Sequence, residues 1–151
     1  MVELKEIKAL PTLMYWREEV IKHVFGVTPD KRLLVANQQY YERHIADGSH
    51  KAFVAECDGE DAGCGAVCYT YELPSPDTPS GRCAYLMNIY VREAFRHKGV
   101  AHHIVSRLID EAKSQGCDKI YLETTAEGRA VYSSLGFKDL PDMMKYYDKE
   151  I

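Results

Sequence analysis

The chain has 151 residues, 28% of them charged, with a formal net charge of -4 at pH 7. This length suits one domain with a real core, so we expect a single domain over residues 1–151. The acidic balance argues against nucleic-acid binding, which needs clustered positive charge. The first residues, MVELKEIKAL, lack a secretory-signal pattern, and no apolar run is long enough to span a membrane. We therefore expect a cytoplasmic protein with no membrane partner.

The first third of the chain predicts an edge strand followed by two helices. Leu4 and Ile7 form a loose apolar pattern that favours a short strand. In PTLMYWREEVIKHVFG the apolar residues fall three and four apart, and Gly26 follows as a stop signal. KRLLVANQQYYERHIADG predicts a second helix that ends at Gly48.

The pattern then changes to that of strands. KAFVAECDGEDAGCGAVCYTYEL has two apolar runs around DGED, which is a hairpin signal. ELPSPDTPSG, with three prolines and a glycine, predicts a surface loop. RCAYLMNIYV predicts a central strand, and GVAHHIVSRLIDEAKSQG a helix that ends at Gly116.

The last part of the chain predicts a strand in KIYLETT, a short helix over residues 127–136 and a last strand in MMKYYD. The order of these predicted helices and strands along the chain predicts a mixed α+β fold. The five cysteines are odd in number and form no CxxC pair. We expect them to stay reduced and to pack as small apolar groups, and we predict no metal site.

A basic turn runs directly into the helix in REAFRHKGVAHHIV. Backbone N–H groups of residues 97–101 lack helical partners there, and with the helix dipole they can bind a pyrophosphate. Gly99 and Ala101 leave room for phosphate oxygens, and Arg92, Arg96 and Lys98 add positive charge. The alternative is an ordinary helix start with a solvated basic face.

Two other phosphate-binding patterns fail. A P-loop needs Ser or Thr after its lysine, whereas Lys98 is followed by Gly99 and Val100. A dinucleotide fingerprint in GCGAVC fails because Cys68 holds the third glycine position.

The residues from Tyr85 to Phe137 resemble the GNAT superfamily of N-acetyltransferases. RHKGVA is similar to the family's Arg/Gln-x-x-Gly-x-Gly/Ala loop, which binds the pyrophosphate of acetyl-CoA through backbone amides. YLMNIYV resembles the strand whose splayed edge hydrogen-bonds the pantetheine arm. RAVYSSLGF, with Tyr132 four residues before Gly136, resembles the tyrosine-containing helix, and MMKYY the closing strand.

The resemblance implies a central, mostly antiparallel sheet flanked by about four helices, with a splayed strand at the cofactor site. It implies transfer of an acetyl group from acetyl-CoA to a primary amine of a small molecule or protein, by direct attack in a ternary complex. Tyr132 would protonate the leaving thiolate, although a core aromatic is its alternative role. The implied cofactor-binding residues are Ile89, Tyr90, Val91, Arg96, His97, Lys98, Gly99, Val100 and Ala101.

Two positions depart from the family pattern. Thr125 stands where many relatives have an asparagine, which puts any polar contact to the cofactor in doubt. Tyr85 stands where some relatives have a glutamate base, and a phenol with a pKa of about 10 is a poor base at neutral pH.

The acceptor side carries no motif. Asn88 and Tyr85 are the candidate pocket residues, together with Trp16, Tyr40 and Tyr41, and each suits a core position equally well. Candidate bases, acting only through water, are Glu72, Glu123, His102 and His103.

Three further functional questions stay open at this level. A non-catalytic acyl-CoA sensor is the main alternative to an enzyme, and Tyr132 favours the enzyme. A nucleotide-binding regulator is disfavoured because the two phosphate patterns fail. Homodimerisation is also left open.

Overall fold

The computed structural model describes residues 1–149 of the chain. Residues 150 and 151 of the predicted domain lie outside the described residues. The strands are β1 (Val2–Ile7), β2 (His50–Cys57), β3 (Glu60–Tyr71), β4 (Arg82–Val91) and β5 (Lys119–Leu122). The helices are α1 (Leu10–His23), α2 (Lys31–Ala46), α3 (Val100–Ser114) and α4 (Arg129–Ser134). Short 3-10 turns lie at Glu93–Phe95 and Ala126–Gly128.

The five strands form one sheet in the order β1-β2-β3-β4-β5. All neighbours are antiparallel except β4 and β5, which are parallel and are connected through α3. The predicted hairpin is confirmed: Asp58 and Gly59 turn the chain between β2 and β3 with φ of 51° and 84°. Such positive φ values are what a two-residue hairpin turn requires. The mixed α+β fold is therefore confirmed, with β1 at one edge as predicted.

Helices cover both faces of this sheet. Val100, Ile104 and Leu108 of α3 are buried on one face, in a cluster with Phe53 and Leu86. On the other face, α1 and α2 bury Leu13, Trp16, Val20 and Tyr41 against the sheet. No helix in residues 1–149 is long and apolar enough to cross a membrane.

Two glycines of β3 determine how closely α3 approaches the sheet. A Cβ at Gly65 would lie 2.5 Å from Cγ2 of Ile104, and one at Gly63 would lie 2.4 Å from the carbonyl oxygen of Tyr90. These are the glycines of GCGAVC, whose phosphate-binding interpretation failed above. Glycine is needed at these positions because side chains of α3 pack directly on Gly65 and the backbone of β4 lies against Gly63.

The strands β4 and β5 are paired over only part of their length. The paired residues run from Cys83 to Leu86 of β4, where β5 ends at Leu122, while β4 continues to Val91. An irregularity opposite Cys64–Ala66 interrupts the β3–β4 ladder, at the point where Asn88 has a φ of 56°. A bulge of this kind bends a strand and increases its twist. The predicted splayed strand is confirmed, and its open edge is residues 87–91.

The prediction of a last strand over MMKYYD is wrong, because residues 143–148 have no strand assignment. The apolar residues come in adjacent pairs, Met143–Met144 and Tyr146–Tyr147, rather than in alternation. Neighbouring side chains of a strand point to opposite faces, so a strand cannot bury both members of a pair on one sheet face. Met144 is 99% exposed and Tyr146 is 86% exposed.

Candidate active site

The turn before α3 presents a row of unpaired backbone donors. His97 and Gly99 adopt left-handed conformations, with φ of 62° and 79°, and α3 begins at Val100. Within residues 1–149, no acceptor pairs with the backbone N–H groups of residues 97–102, and the first helical bond of this end is His103 N–H to the Gly99 carbonyl, 3.1 Å. A Cβ built on Gly99 meets no atom within 4 Å. The turn therefore offers unpaired donors, and the space beside Gly99 is open to an anion.

The basic side chains of this turn do not all point the same way. Arg96 is exposed and its Nε donates to the carbonyl of Val91 at 3.3 Å, at the end of β4. Lys98 is exposed beside the turn. Arg92, which we expected to add charge here, instead donates to the hydroxyl of Tyr15 at 2.6 Å and lies over the ring of Trp16. The positive charge at the turn therefore comes from Arg96 and Lys98.

The open edge of β4 lies between two different side-chain environments. Ile89 and Val91 pack against the core on the α3 side of the sheet. Tyr90 packs on the opposite side among residues of α1, and its ring stacks on His23 with centroids 5.5 Å apart. Of these three predicted residues, Tyr90 can therefore offer only its backbone to a ligand on the α3 side.

Tyr132 lies on α4 with its hydroxyl unpaired among the described residues. Its half-buried ring packs against the α3-side core, as Ile89 and Val91 do, and contacts Phe137 edge-on with centroids 5.9 Å apart. A Cβ at Gly128 would lie 2.6 Å from Oγ1 of Thr124 and 3.0 Å from the Tyr132 ring, so a larger residue there would crowd both side chains. Burial raises the pKa of the Tyr132 phenol, which keeps it protonated at neutral pH.

A cavity of about 250 Å³ lies on the α1 and α2 side of the sheet. Of the candidate pocket residues, Asn88, Tyr40 and Tyr41 line it. Trp16 is 2% exposed and belongs to the core instead. Tyr85 is not among the lining residues and packs against the ring of Tyr121, with centroids 5.1 Å apart.

Three polar residues of this cavity were not predicted from the sequence: Arg17, Asn37 and His50. They come from α1, α2 and the first residue of β2, and none belongs to a recognisable motif. The one available signal is weak, namely a histidine directly before the apolar run of a strand. Only tertiary packing brings these side chains to one place.

The candidate bases are dispersed. Glu72 forms an ion pair with Lys119 at 3.1 Å, and His102 and His103 are exposed in the first turn of α3. Glu123 follows β5 and lies near Tyr85, where burial and this carboxylate raise the pKa of the tyrosine. None of the four lines the 250 Å³ cavity.

A larger groove of about 1100 Å³ lies between the C-terminal half of α3, β5 and the segment after α4. Tyr132 and Glu123 form part of its wall. None of its lining residues comes from residues 87–91 or 96–101, so we assign it no part in binding a pyrophosphate. Residues 1–149 contain no group of three His, Cys, Asp or Glu that could hold a metal ion.

The model of the acetyltransferase (GNAT) family matches residues 14–137 of the chain. The chain belongs to the GNAT family. The uncharacterized N-acetyltransferase YjgM of Escherichia coli K12 is 32% identical to it over 122 residues, which are 77% of this chain and 69% of YjgM. Thialysine N-epsilon-acetyltransferase of Bos taurus is 27% identical, over 93% of this chain and 75% of its own length. Others are named for glucosamine 6-phosphate and for aminoglycosides.

Solved GNAT structures share this fold. A predicted acetyltransferase from Clostridium acetobutylicum, crystallised with acetyl-CoA, superposes with a TM-score of 0.86 at 23% identity, covering 97% of this chain and 96% of its own. Family membership and these relatives make the protein an N-acetyltransferase. They do not specify the amine that this GNAT enzyme acetylates.

Proposed function

We propose that this GNAT enzyme transfers the acetyl group of acetyl-CoA to a primary amine of a small molecule, by direct attack in a ternary complex. The observation that carries the proposal is the row of unpaired N–H groups at residues 97–102, next to the open edge of β4. These two features are donor sets of the kind that a pyrophosphate and an amide-containing pantetheine arm require. The solved relative that contains acetyl-CoA supports the same co-substrate.

The two faces of the sheet have separate parts in this proposal. The pyrophosphate binds at residues 96–101 and the pantetheine arm runs along residues 89–91, both on the α3 side. The amine enters through the cavity on the α1 and α2 side, which Asn88 lines. In this proposal the two substrates meet at the gap between β4 and β5, because among residues 1–149 no strand pairs with β4 beyond Leu86 on that edge.

The transfer needs few protein groups. The nitrogen of a neutral amine attacks the thioester carbonyl carbon, the C–S bond breaks, and the sulfur takes the proton of the Tyr132 hydroxyl. The proton that the amine nitrogen loses passes through water and restores the phenol. A backbone N–H near Ile89 or Tyr90 donates to the carbonyl oxygen, where negative charge develops.

The proton transfer from Tyr132 is energetically reasonable. With a phenol pKa near 10 and a thiol pKa near 8.5, it is uphill by about 2 kcal/mol in water. Burial raises the pKa of the phenol, which makes Tyr132 a weaker acid. The same buried surroundings also raise the pKa of the thiol, which makes the thiolate a stronger base. This offsets part of the added energy cost of the proton transfer.

The proposed pyrophosphate site is tested by two substitutions at Gly99. Gly99→Ala adds a Cβ at a φ of 79° and is expected to cost about 1 kcal/mol of stability through backbone strain. Gly99→Glu adds the same strain and a carboxylate beside the phosphates, and its affinity for acetyl-CoA should fall about tenfold or more below that of the Ala variant. Isothermal titration calorimetry of both folded variants measures the difference. Equal affinities would remove this site from the proposal.

A further inference from the structure

The cavity on the α1 and α2 side contains a guanidinium whose charge is not neutralised. Arg17 is half-buried, and its Nε donates to Oδ1 of Asn37 at 2.8 Å while its Nη1 donates to Oδ1 of Asn88 at 2.8 Å. Both acceptors are neutral amides. Within residues 1–149, no Asp or Glu oxygen lies within 4.0 Å of Arg17 in an ion pair.

The two amides hold the guanidinium in one orientation. The Nδ2 of Asn37 donates to the carbonyl of Leu33 at 2.8 Å, which leaves Oδ1 as the atom that accepts from Arg17. Asn88 is held at the β4 bulge with a φ of 56°. Of the five guanidinium N–H donors, these contacts use two, so one N–H on Nη1 and both on Nη2 stay available for a ligand.

The rest of the cavity adds no compensating negative charge. The lining residues are Arg17, Ala36, Asn37, Tyr40, Tyr41, His50, Met87 and Asn88. His50 is 3% exposed, and burial lowers its pKa to about 4, so it is neutral at pH 7. Its Nε2 is buried without a hydrogen-bond partner, while its Nδ1 lies 2.8 Å from the Tyr40 hydroxyl. The cavity therefore holds one fixed positive charge, and His50, which lines it, adds no charge of its own.

From this arrangement we infer that the acceptor is a small amine that carries a carboxylate or phosphate, and that Arg17 binds this anionic group. The inference rests on the proposed acetyl transfer and names the acceptor class for the same site. A half-buried cation is stabilised by an anion that accepts several of its N–H donors, and both groups accept from a guanidinium with two oxygens. A polycationic amine would meet like charge in this cavity. Family membership leaves this choice open, because relatives are named for both kinds of acceptor.

The inference is tested with matched pairs of amines that differ only in the anionic group. One pair is 6-aminohexanoate and 6-aminohexanamide, the second is glucosamine 6-phosphate and glucosamine, and neamine serves as a polycation. Binding to the complex of the protein with CoA is measured by saturation-transfer NMR, and turnover by release of the CoA thiol. At least one amine that carries an anionic group should bind about tenfold or more tightly than the partner that lacks this group, the usual scale for a charge-assisted pair. The favoured pair tells whether the group is a carboxylate or a phosphate.

Variants of α1 then assign the preference to Arg17. Arg17→Gln should remove the preference for the amine with the anionic group without weakening binding of the partner that lacks this group, whereas Arg17→Lys should keep part of the preference. Lys22→Gln removes an equal charge from an exposed position of the same helix and should change nothing. Thermal melting and acetyl-CoA titration show that each variant is folded.

The outcomes separate this inference from the proposed function. Equal binding of the paired amines by the parent, no binding of either anionic amine, or an unchanged preference in Arg17→Gln would each overturn the role of Arg17. Selective binding of an anionic amine without turnover would keep the role of Arg17 and contradict the proposed transfer. If Arg17→Gln does not fold, the Arg17→Lys variant tests the inference instead. A lysine ammonium cannot donate two parallel N–H groups to one anion, so full retention of the parent's preference and affinity would exclude the two-bond contact of Arg17 with the anionic group.

Discussion

At the scale of single residues, Tyr132 is the proposed proton donor. Its ring contacts the ring of Phe137 edge-on and also lies close to Gly128. Its hydroxyl makes no hydrogen bond within residues 1–149. The hydroxyl is not buried, unlike that of Tyr69, so it is accessible to a ligand.

We predict that Tyr132→Phe lowers kcat by about 10²- to 10⁴-fold, the usual size of general acid–base effects. The melting temperature should change little, because the hydroxyl that is removed has no partner to lose. Acetyl-CoA affinity should also change little, since other parts of the chain hold the phosphates. Steady-state kinetics, thermal melting and calorimetry measure these three quantities.

The pH profile supplies a second readout for Tyr132. Burial raises the pKa of the phenol, so the limb of kcat that reports its ionisation should lie above pH 10 in the parent and be absent in the Phe variant. A Phe variant that turns over within about twofold of the parent would leave Tyr132 with a packing role only.

At the scale of elements, the contact of α3 with β3 positions the proposed pyrophosphate site. Ile104, one turn into α3, lies over Gly65, and the turn of residues 96–99 directly precedes this helix. The depth at which α3 packs therefore sets where the free N–H groups stand relative to the open edge of β4. Glycine is required at these strand positions for a steric reason rather than for a positive φ.

We predict that Gly65→Ala and Gly63→Ala each destabilise the fold by about 1 to 3 kcal/mol, the usual cost of overpacking. The two differ in whether they can be rescued. The added Cβ at Gly65 meets the side chain of Ile104 at 2.5 Å, whereas the one at Gly63 meets the backbone carbonyl of Tyr90 at 2.4 Å. Adding Ile104→Ala should therefore offset more of the cost at Gly65 than at Gly63, where the nearest Ile104 atom lies farther away, at 3.3 Å. Urea unfolding of the single and double variants measures the coupling.

Additive free energies in both double variants would contradict this account of α3 packing. Equal rescue at Gly63 and Gly65 would mean that the β4 backbone moves away from Gly63 at little cost. In either case the same variants should be titrated with acetyl-CoA, because a displaced α3 is expected to weaken binding along with stability.

At the scale of the whole molecule, His50 connects the sheet to α2. Its ring is 3% exposed, with the edges of Tyr40 and Tyr41 against it and its Nδ1 2.8 Å from the Tyr40 hydroxyl. Burial holds its pKa at about 4, below the ordinary value of 6.5. Between these two pH values, His50 is protonated in the unfolded chain but not in the folded chain. Its contribution to the free energy of unfolding is therefore fully present above pH 6.5 and is lost as the pH falls toward 4.

We predict that the titration of His50 alone lowers the free energy of unfolding by up to about 3 kcal/mol between neutral pH and pH 4. His50→Gln keeps a group that can hydrogen-bond Tyr40 but does not titrate, so its loss over the same range should be smaller by that amount. Acidic groups such as Asp47 and Asp118, whose pKa values are lowered by hydrogen bonds from Ser49 and Ser80, act in both proteins and cancel in the comparison. Urea unfolding at several pH values measures the difference, and parallel curves for the two proteins would contradict it.

Features that depend on neighbouring residues could be predicted from the amino-acid sequence. The hairpin follows from Asp58 and Gly59, because a two-residue turn needs residues that accept positive φ. The start of α3 follows from Gly99 and its basic neighbours, and the GNAT resemblance from motifs within residues 85–137. The same local reasoning failed for residues 143–148, where β-type residues are present but lack the alternation that buries one face of a strand.

Which distant side chains meet depends on tertiary packing. Arg17 lies 20 positions from Asn37 and 71 positions from Asn88 along the chain. Even so, a 2.8 Å hydrogen bond joins it to each of them, in the cavity that His50 also lines. Arg92 shows the reverse, since its neighbours in sequence suggested an anion site and packing turned it toward α1. Hydrophobic periodicity specifies which face of a helix is buried. It does not specify which polar residue of another element lies opposite that face. That depends on the depth and angle at which α1, α2 and β4 pack, and here this packing places the positive charge of Arg17 in the 250 Å³ cavity.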